Sequence, residues 1–128
     1  MSLEVAEHLP RSRSASFVAD LVQAAPVVLF SAAIPGQGGV GHINERWQEI
    51  WADLFHDHGY QAVDCIRSTI WHNLDVAWWY AQNILIFADP HFIATRPKME
   101  EARDKTDLGR ISVVHPRTYQ NACKTINN

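Results

Sequence analysis

The sequence predicts an α/β fold. Three observations lead there. Residues 27–34, VVLFSAAI, form an apolar run without a charge, as in a strand covered on both faces of a sheet. Ile43, Trp47, Ile50, Trp51, Leu54 and Phe55 then recur at three and four, the stripe of an amphipathic helix. Between them lies a loop rich in glycine and bearing one histidine, PGQGGVGH, at the strand's carboxyl end, where α/β folds collect polar groups.

The elements follow in order. Leu3 to Val5 read as the end of a strand. Ser12, Ser14 and Ser16 offer N-caps for a helix whose apolar face is Phe17, Val18, Leu21, Val22 and Ala25, with Pro26 ending it. Pro35 and glycines 36, 38, 39 and 41 make the loop. Asn44 is an N-cap candidate for the second helix and Glu45 a favourable first-turn acid, while Gly59 supplies the stop. Residues 60–70 read as a strand, Tyr60, Ala62, Asp64 and Ile66 alternating with Val63 and Cys65. Residues 78–88, WWYAQNILIFA, read as another, which would turn Trp78 and Trp79 to opposite faces. Trp47 and Trp51 are expected in the core. Two units result: an α/β body over 1–95, and a charged helical or mobile tail over 96–128.

At 128 residues the chain can bury one sizeable core. A net charge of −3, with Lys and Arg scattered, argues against nucleic acid or an anionic membrane as partner. No apolar run approaches the ~20 residues of a membrane span. Ser2, Leu3 and Glu4 directly after Met1 do not begin a signal peptide. Cys65 and Cys123 stand far apart, as two free thiols in a reducing compartment do. A cytoplasmic location is expected.

Two segments carry candidate chemistry. Glu4, Glu7 and His8 form E-x-x-E-H: two hard carboxylates and an imidazole within five residues suit a divalent cation, with His42 as a fourth ligand. Without a metal the same groups make a polar wall or orient the following helix. His42 is also the side chain best suited to take a proton near neutral pH. Gln37 and its glycines form a loop that reaches a ligand through backbone N–H groups or serves as a lid. His56, His58, His72, His91 and His115 are expected to be surface or core residues.

Taken in order, EVAEHLP, VVLFSAAIPGQGGVGHINE, GYQAVDCIR and WWYAQNILIF resemble the C-terminal half of class I, Rossmann-like S-adenosylmethionine-dependent methyltransferases. The resemblance covers roughly residues 2–90. It implies a partial sheet from a seven-strand order 3-2-1-4-5-7-6, with residues 2–5 ending strand 4, 27–34 strand 5, 60–70 strand 6 and 78–88 an antiparallel strand 7. Strands 1 to 3 of that family, their GxGxG turn and their ribose-binding acid have no counterpart here. The resemblance implies methyl transfer from S-adenosylmethionine to a small-molecule acceptor, probably at oxygen. His42, His8 and Glu7 would act catalytically, Leu3 and Glu4 would face the cofactor, and Glu4, Glu7 and His8 would hold any cation. With most of the cofactor cradle missing, the chain is expected to be a fragment, a homodimer or a chain completed by another. The rival expectation is a non-catalytic module that only associates. A metal-dependent hydrolase is a weaker third.

Overall fold

A computed structural model describes residues 1–126, so the tail expected over 96–128 is seen to Ile126. The sheet has four strands: β1 (Ser2–Leu3), β2 (Val27–Ser31), β3 (Gln61–Val63) and β4 (Leu85–Ala88). Their order is β1-β2-β4-β3. β1 runs parallel to β2, and β4 runs antiparallel to both β2 and β3. The register sets Val28 beside Phe87 and Ala62 beside the same Phe87.

Alternation along the strands builds two layers. One face presents Val28, Phe30, Phe87 and Ala62 to α1 (Ser14–Ala24) and α2 (Gln48–His56). There Phe55 stacks on Phe87 at 4.0 Å, and Phe30 lies 5.2 Å from Trp51. Truncating Phe55 to alanine would cost about 3–5 kcal/mol. The other face presents Val27, Ile86, Ala88 and Val63 to α5 (Pro90–Ala94) and α6 (Pro97–Asp104). Asp89 caps α5, its carboxylate accepting from the N–H groups of His91 and Phe92.

Several expected elements are shorter or different. β2 stops at Ser31, and residues 32–34 continue buried but unpaired in the sheet. The strand expected over 60–70 is three residues long and gives way to α3 (Arg67–Ile70). Asp64 and Arg67 decide this: their ion pair at 2.6 Å spans one turn, a spacing a strand would not close. The strand expected over 78–88 is two elements, α4 (Trp78–Asn83) and then β4. Gln82 and Asn83 are both buried and bonded to one another; on a strand they would point to opposite faces. Trp78 and Trp79 accordingly meet edge to face at 5.4 Å on the first turn of α4.

Capping also differs from expectation. α1 follows a 3₁₀ turn at residues 11–13 and has no side-chain cap; Ser14 instead accepts a bond from Asn44. α2 begins at Gln48 because Asn44, Glu45 and Arg46 are drawn into loop contacts and the backbone stays extended through Trp47. Trp51 is in the core as expected, whereas Trp47 is 38 % exposed. Gly59, at φ +77, closes the end of α2, and Tyr60 N–H reaches back to the Phe55 carbonyl. In the tail, no residue of α6 is fully buried, although Met99 and Ala102 pack on the sheet, while Ile111 and His115 before α7 (Pro116–Ile126) and Thr118 within it are buried.

Candidate functional site

β1 and β2 are parallel, so their carboxyl ends open on one side, and the two loops predicted to carry chemistry meet there. Ser31 fastens the first: its carbonyl and Oγ both accept from Glu4 N–H, at 3.0 and 3.1 Å. Glu4 takes φ +52, a left-handed conformation that is strained for a residue with a side chain. A 3₁₀ turn over Ala6–His8 follows. The Glu7 carbonyl then accepts from the N–H groups of Ile43 and Asn44, at 2.9 and 3.0 Å. Asn44 Nδ2 reaches across to the Ala6 carbonyl and Ser14 Oγ. The asparagine therefore ties the two loops together instead of capping α2.

Glu45 organises the glycine loop rather than the helix. One of its oxygens accepts from Gly36 N–H at 2.8 Å. The other accepts from Gly38 N–H at 3.1 Å and pairs with His42 Nδ1 at 3.0 Å. Gly39 lies flat against the His42 ring: a Cβ there would fall 2.3 Å from Nε2. His8 Nδ1 faces the Gly41 carbonyl at 3.2 Å. Both acceptors match an N–H on Nδ1, and the neutral tautomer that carries it keeps its lone pair on Nε2.

Glu7, His8 and His42 converge, each offering one ligand atom, all within 4.8 Å of one another. Glu7 is fully buried, and neither carboxylate oxygen has a hydrogen-bond partner. His42 Nε2 lies 4.0 Å from Glu7 Oε1. Burial pushes the Glu7 carboxyl above its ordinary range; the charge of Glu4 adds to this, and the two imidazoles oppose it. The His8 and His42 rings meet edge to face at 4.9 Å.

Glu4 stands apart from that cluster. Its oxygens receive Gln37 Nε2 at 3.0 Å and Asn83 Nδ2 at 3.3 Å, and it is not among the three convergent ligands. Leu3 is half-buried in β1. Glu4, Glu7, His8, Gln37, His42 and the two indoles of Trp78 and Trp79 line a cavity of about 290 Å³, with Gly38 and Gly39 on its wall. No lysine or arginine lines it.

The structure thus brings Glu7, His8 and His42 together and leaves Glu4 beside them. His56 and His58, which have H-x-H spacing, are exposed at the end of α2 and do not join the cluster. A larger cavity of about 420 Å³ lies elsewhere, between α2, β3 and the 103–111 segment; His56 lines it, and it shares no residue with the first. Gln82 and Asn83 do not stand out in the sequence as site residues. Their signal is two adjacent amides inside an apolar run, which demand buried partners. No protein-family profile matches the chain, and neither the curated proteins nor the solved structures contain a match.

Proposed function

We propose that this chain is the acceptor-binding half of an S-adenosylmethionine-dependent methyltransferase acting on an oxygen of a small molecule, with another chain supplying the cofactor cradle. The observation that carries the reading is His42. Its Nδ1 is held by Glu45 and its ring lines the cavity, the arrangement of a general base with its orienting acid. The strand order and the antiparallel β4 agree with the family arrangement named above. When bound, the cofactor supplies the methyl group. The residues present do not make its site. The glycines surround imidazoles, and a cavity of about 290 Å³ suits a small acceptor. Leu3 and Glu4 are what this chain offers toward the cofactor.

In this reading His42 Nε2 takes the proton of the acceptor hydroxyl, and Glu45 stabilises the imidazolium that results. Trp78 and Trp79 wall the acceptor in. The lack of lysine or arginine in the lining disfavours anionic acceptors. Completed with a co-expressed cofactor-binding half, the enzyme should lose roughly 10²-fold or more in turnover on His42→Ala, with cofactor affinity unchanged. Equal activity would remove the base. The isolated chain should bind S-adenosylmethionine weakly or not at all in a calorimetric titration. A low-micromolar Kd, about −8 kcal/mol, would overturn the division between chains.

Glu7 favours a second reading. Its orphaned carboxylate and the two free Nε2 atoms make an N,N,O set suited to a divalent transition cation, with Glu45 and the Gly41 carbonyl orienting the imidazoles from behind. Such an ion would act as a Lewis acid on the acceptor oxygen, with His42 a ligand in place of a base. Titration with Co²⁺ or Zn²⁺ separates the two: binding by the parent chain that Glu7→Gln abolishes supports the metal, and no binding excludes it.

A further inference from the structure

We propose that residues 111–118 are a working part of the pocket, a strap that fixes which way the polar groups around Glu4 point. The relay starts at a group of fixed polarity. The His115 backbone N–H can only donate, and it meets Gln82 Oε1 at 2.9 Å. Thr118 Oγ1 donates to the same oxygen. The oxygen end of the Gln82 amide therefore faces the strap, and its Nε2 end faces the pocket. There it donates to Gln37 Oε1 at 2.9 Å and to Asn83 Oδ1 at 3.0 Å. Gln37, its oxygen so engaged, turns Nε2 to Glu4 at 3.0 Å. Asn83 Nδ2 sits between Gln37 Oε1 at 2.8 Å and Glu4 Oε1 at 3.3 Å.

Gln82 and the Ile34 backbone N–H, 3.4 Å from Gln37 Oε1, together orient Gln37. Flipping Gln82 would set oxygen against Gln37 oxygen, and flipping Gln37 would set oxygen against the Glu4 carboxylate. Water does not relieve the mismatch at Gln82, because Gln82 is 0 % and Asn83 2 % exposed. The result is a Glu4 that receives one N–H on each oxygen and keeps its remaining lone pairs for the cavity. It therefore accepts from a ligand O–H or N–H and repels a ligand acceptor. The strained φ of Glu4 persists only if its surroundings over-determine it, which the relay does.

The strap is anchored on its own account. The Ile111 carbonyl accepts from Arg67 Nη1 at 2.8 Å, and the Val113 carbonyl from Gln48 Nε2 at 3.0 Å. The His115 ring packs against Trp71 and Trp78, and Trp78 lines the cavity. Gln82, Thr118 and His115 are thus positioning residues that act through Gln37 and Asn83.

The strap's place in acceptor recognition rests on the methyltransferase reading; the relay does not, and its test needs no turnover. Thr118→Val removes one donor to Gln82 without touching Gln37 or Glu4. Side-chain amide NMR on the full 128-residue chain should then show the Gln37 and Asn83 NH₂ signals shifted and exchanging with solvent roughly tenfold faster. Thr118→Ser keeps the hydroxyl and should restore the parent signals. Gln82→Met deletes the hub, should give a larger effect, and serves where Thr118→Val does not fold. Folded variants of both kinds with unmoved Gln37 and Asn83 signals would overturn the relay. Absent methyl transfer with these signals behaving as expected would sink the enzyme reading and leave the relay standing.

Discussion

Replacing Glu7 with glutamine should stabilise the fold at pH 8 and change little at pH 4. Glu7 is fully buried and both oxygens lack partners. Desolvation, reinforced by the Glu4 charge, raises its pKa from the ordinary value of 4.5. Its own backbone N–H, which makes no hydrogen bond to the carboxylate, pulls the other way, as do His42 and His8. An acid whose folded pKa is raised keeps its proton in the folded state after the unfolded state has lost it. Its contribution to stability is therefore intact below 4.5 and falls as pH rises from there through the folded value. Each pH unit between the unfolded and folded titrations corresponds to about 1.4 kcal/mol. An unsatisfied buried polar group costs about 1–3 kcal/mol, more if charged. Glutamine keeps the shape, stays neutral, and can donate an N–H toward His42 Nε2, now 4.0 Å from the carboxylate. The expected gain is thus ~1–3 kcal/mol at pH 8, roughly 3–10 °C in Tm for a domain of this size. Urea and thermal unfolding of parent and variant between pH 4 and pH 8 measure it. A difference independent of pH, or a loss at pH 8, would refute the reasoning, since it would mean that the carboxylate is compensated in the native state.

Two further outcomes are expected. Gly39→Ala places a Cβ 2.3 Å from His42 Nε2 and so must displace the ring; histidine NMR should show the His42 signals moved, with about 1–3 kcal/mol lost, and unmoved signals would refute the contact. β1 pairs only with Phe30 and Ser31, so the outer edge of Val27 to Leu29 is open among the described residues, and sedimentation at micromolar concentration should show a two-fold dimer. A stable monomer with cooperative unfolding would refute the dimer, and with it the expectation that the chain associates with a copy of itself.

What the sequence made legible was whatever depends on local pattern. The α1 and α2 stripes, the β2 run, the loop glycines and the meeting of Glu7, His8 and His42 follow from spacing and from strand ends opening on one side. What it hid depends on partners distant in the chain. WWYAQN reads as strand by its aromatics, yet is helical because Gln82 and Asn83 must reach Gln37 together, forty-five and forty-six positions away. Asn44 and Glu45 have the residue types of a helix start, yet are spent on Ala6, Ser14, Gly36, Gly38 and His42. Residues 111–118 show no helical or strand periodicity, and their packing rests on bonds with Gln48, Arg67 and Gln82, thirty-three to sixty-five positions away.

Two destabilising features share one cavity wall: a left-handed Glu4 and an unpartnered Glu7 carboxylate. Each alone is of the order of 1–3 kcal/mol, set against a typical net stability of only about 5–15 kcal/mol. Neither is needed to close the core, which is completed by Phe30, Trp51, Phe55 and Phe87 on the far side of β2 from α5. A hydrophobic residue at position 7 and a right-handed residue at position 4 would satisfy the fold better. Locally inconsistent choices that coincide at one pocket, while the rest of the chain is consistent, mark where folding is not the only requirement. The pocket's chemistry says what the other requirement is. An unpartnered carboxylate, two imidazoles and a Glu4 whose oxygens keep lone pairs for the cavity make its wall rich in acceptors. A ligand suited to that wall would carry positive charge or donate protons.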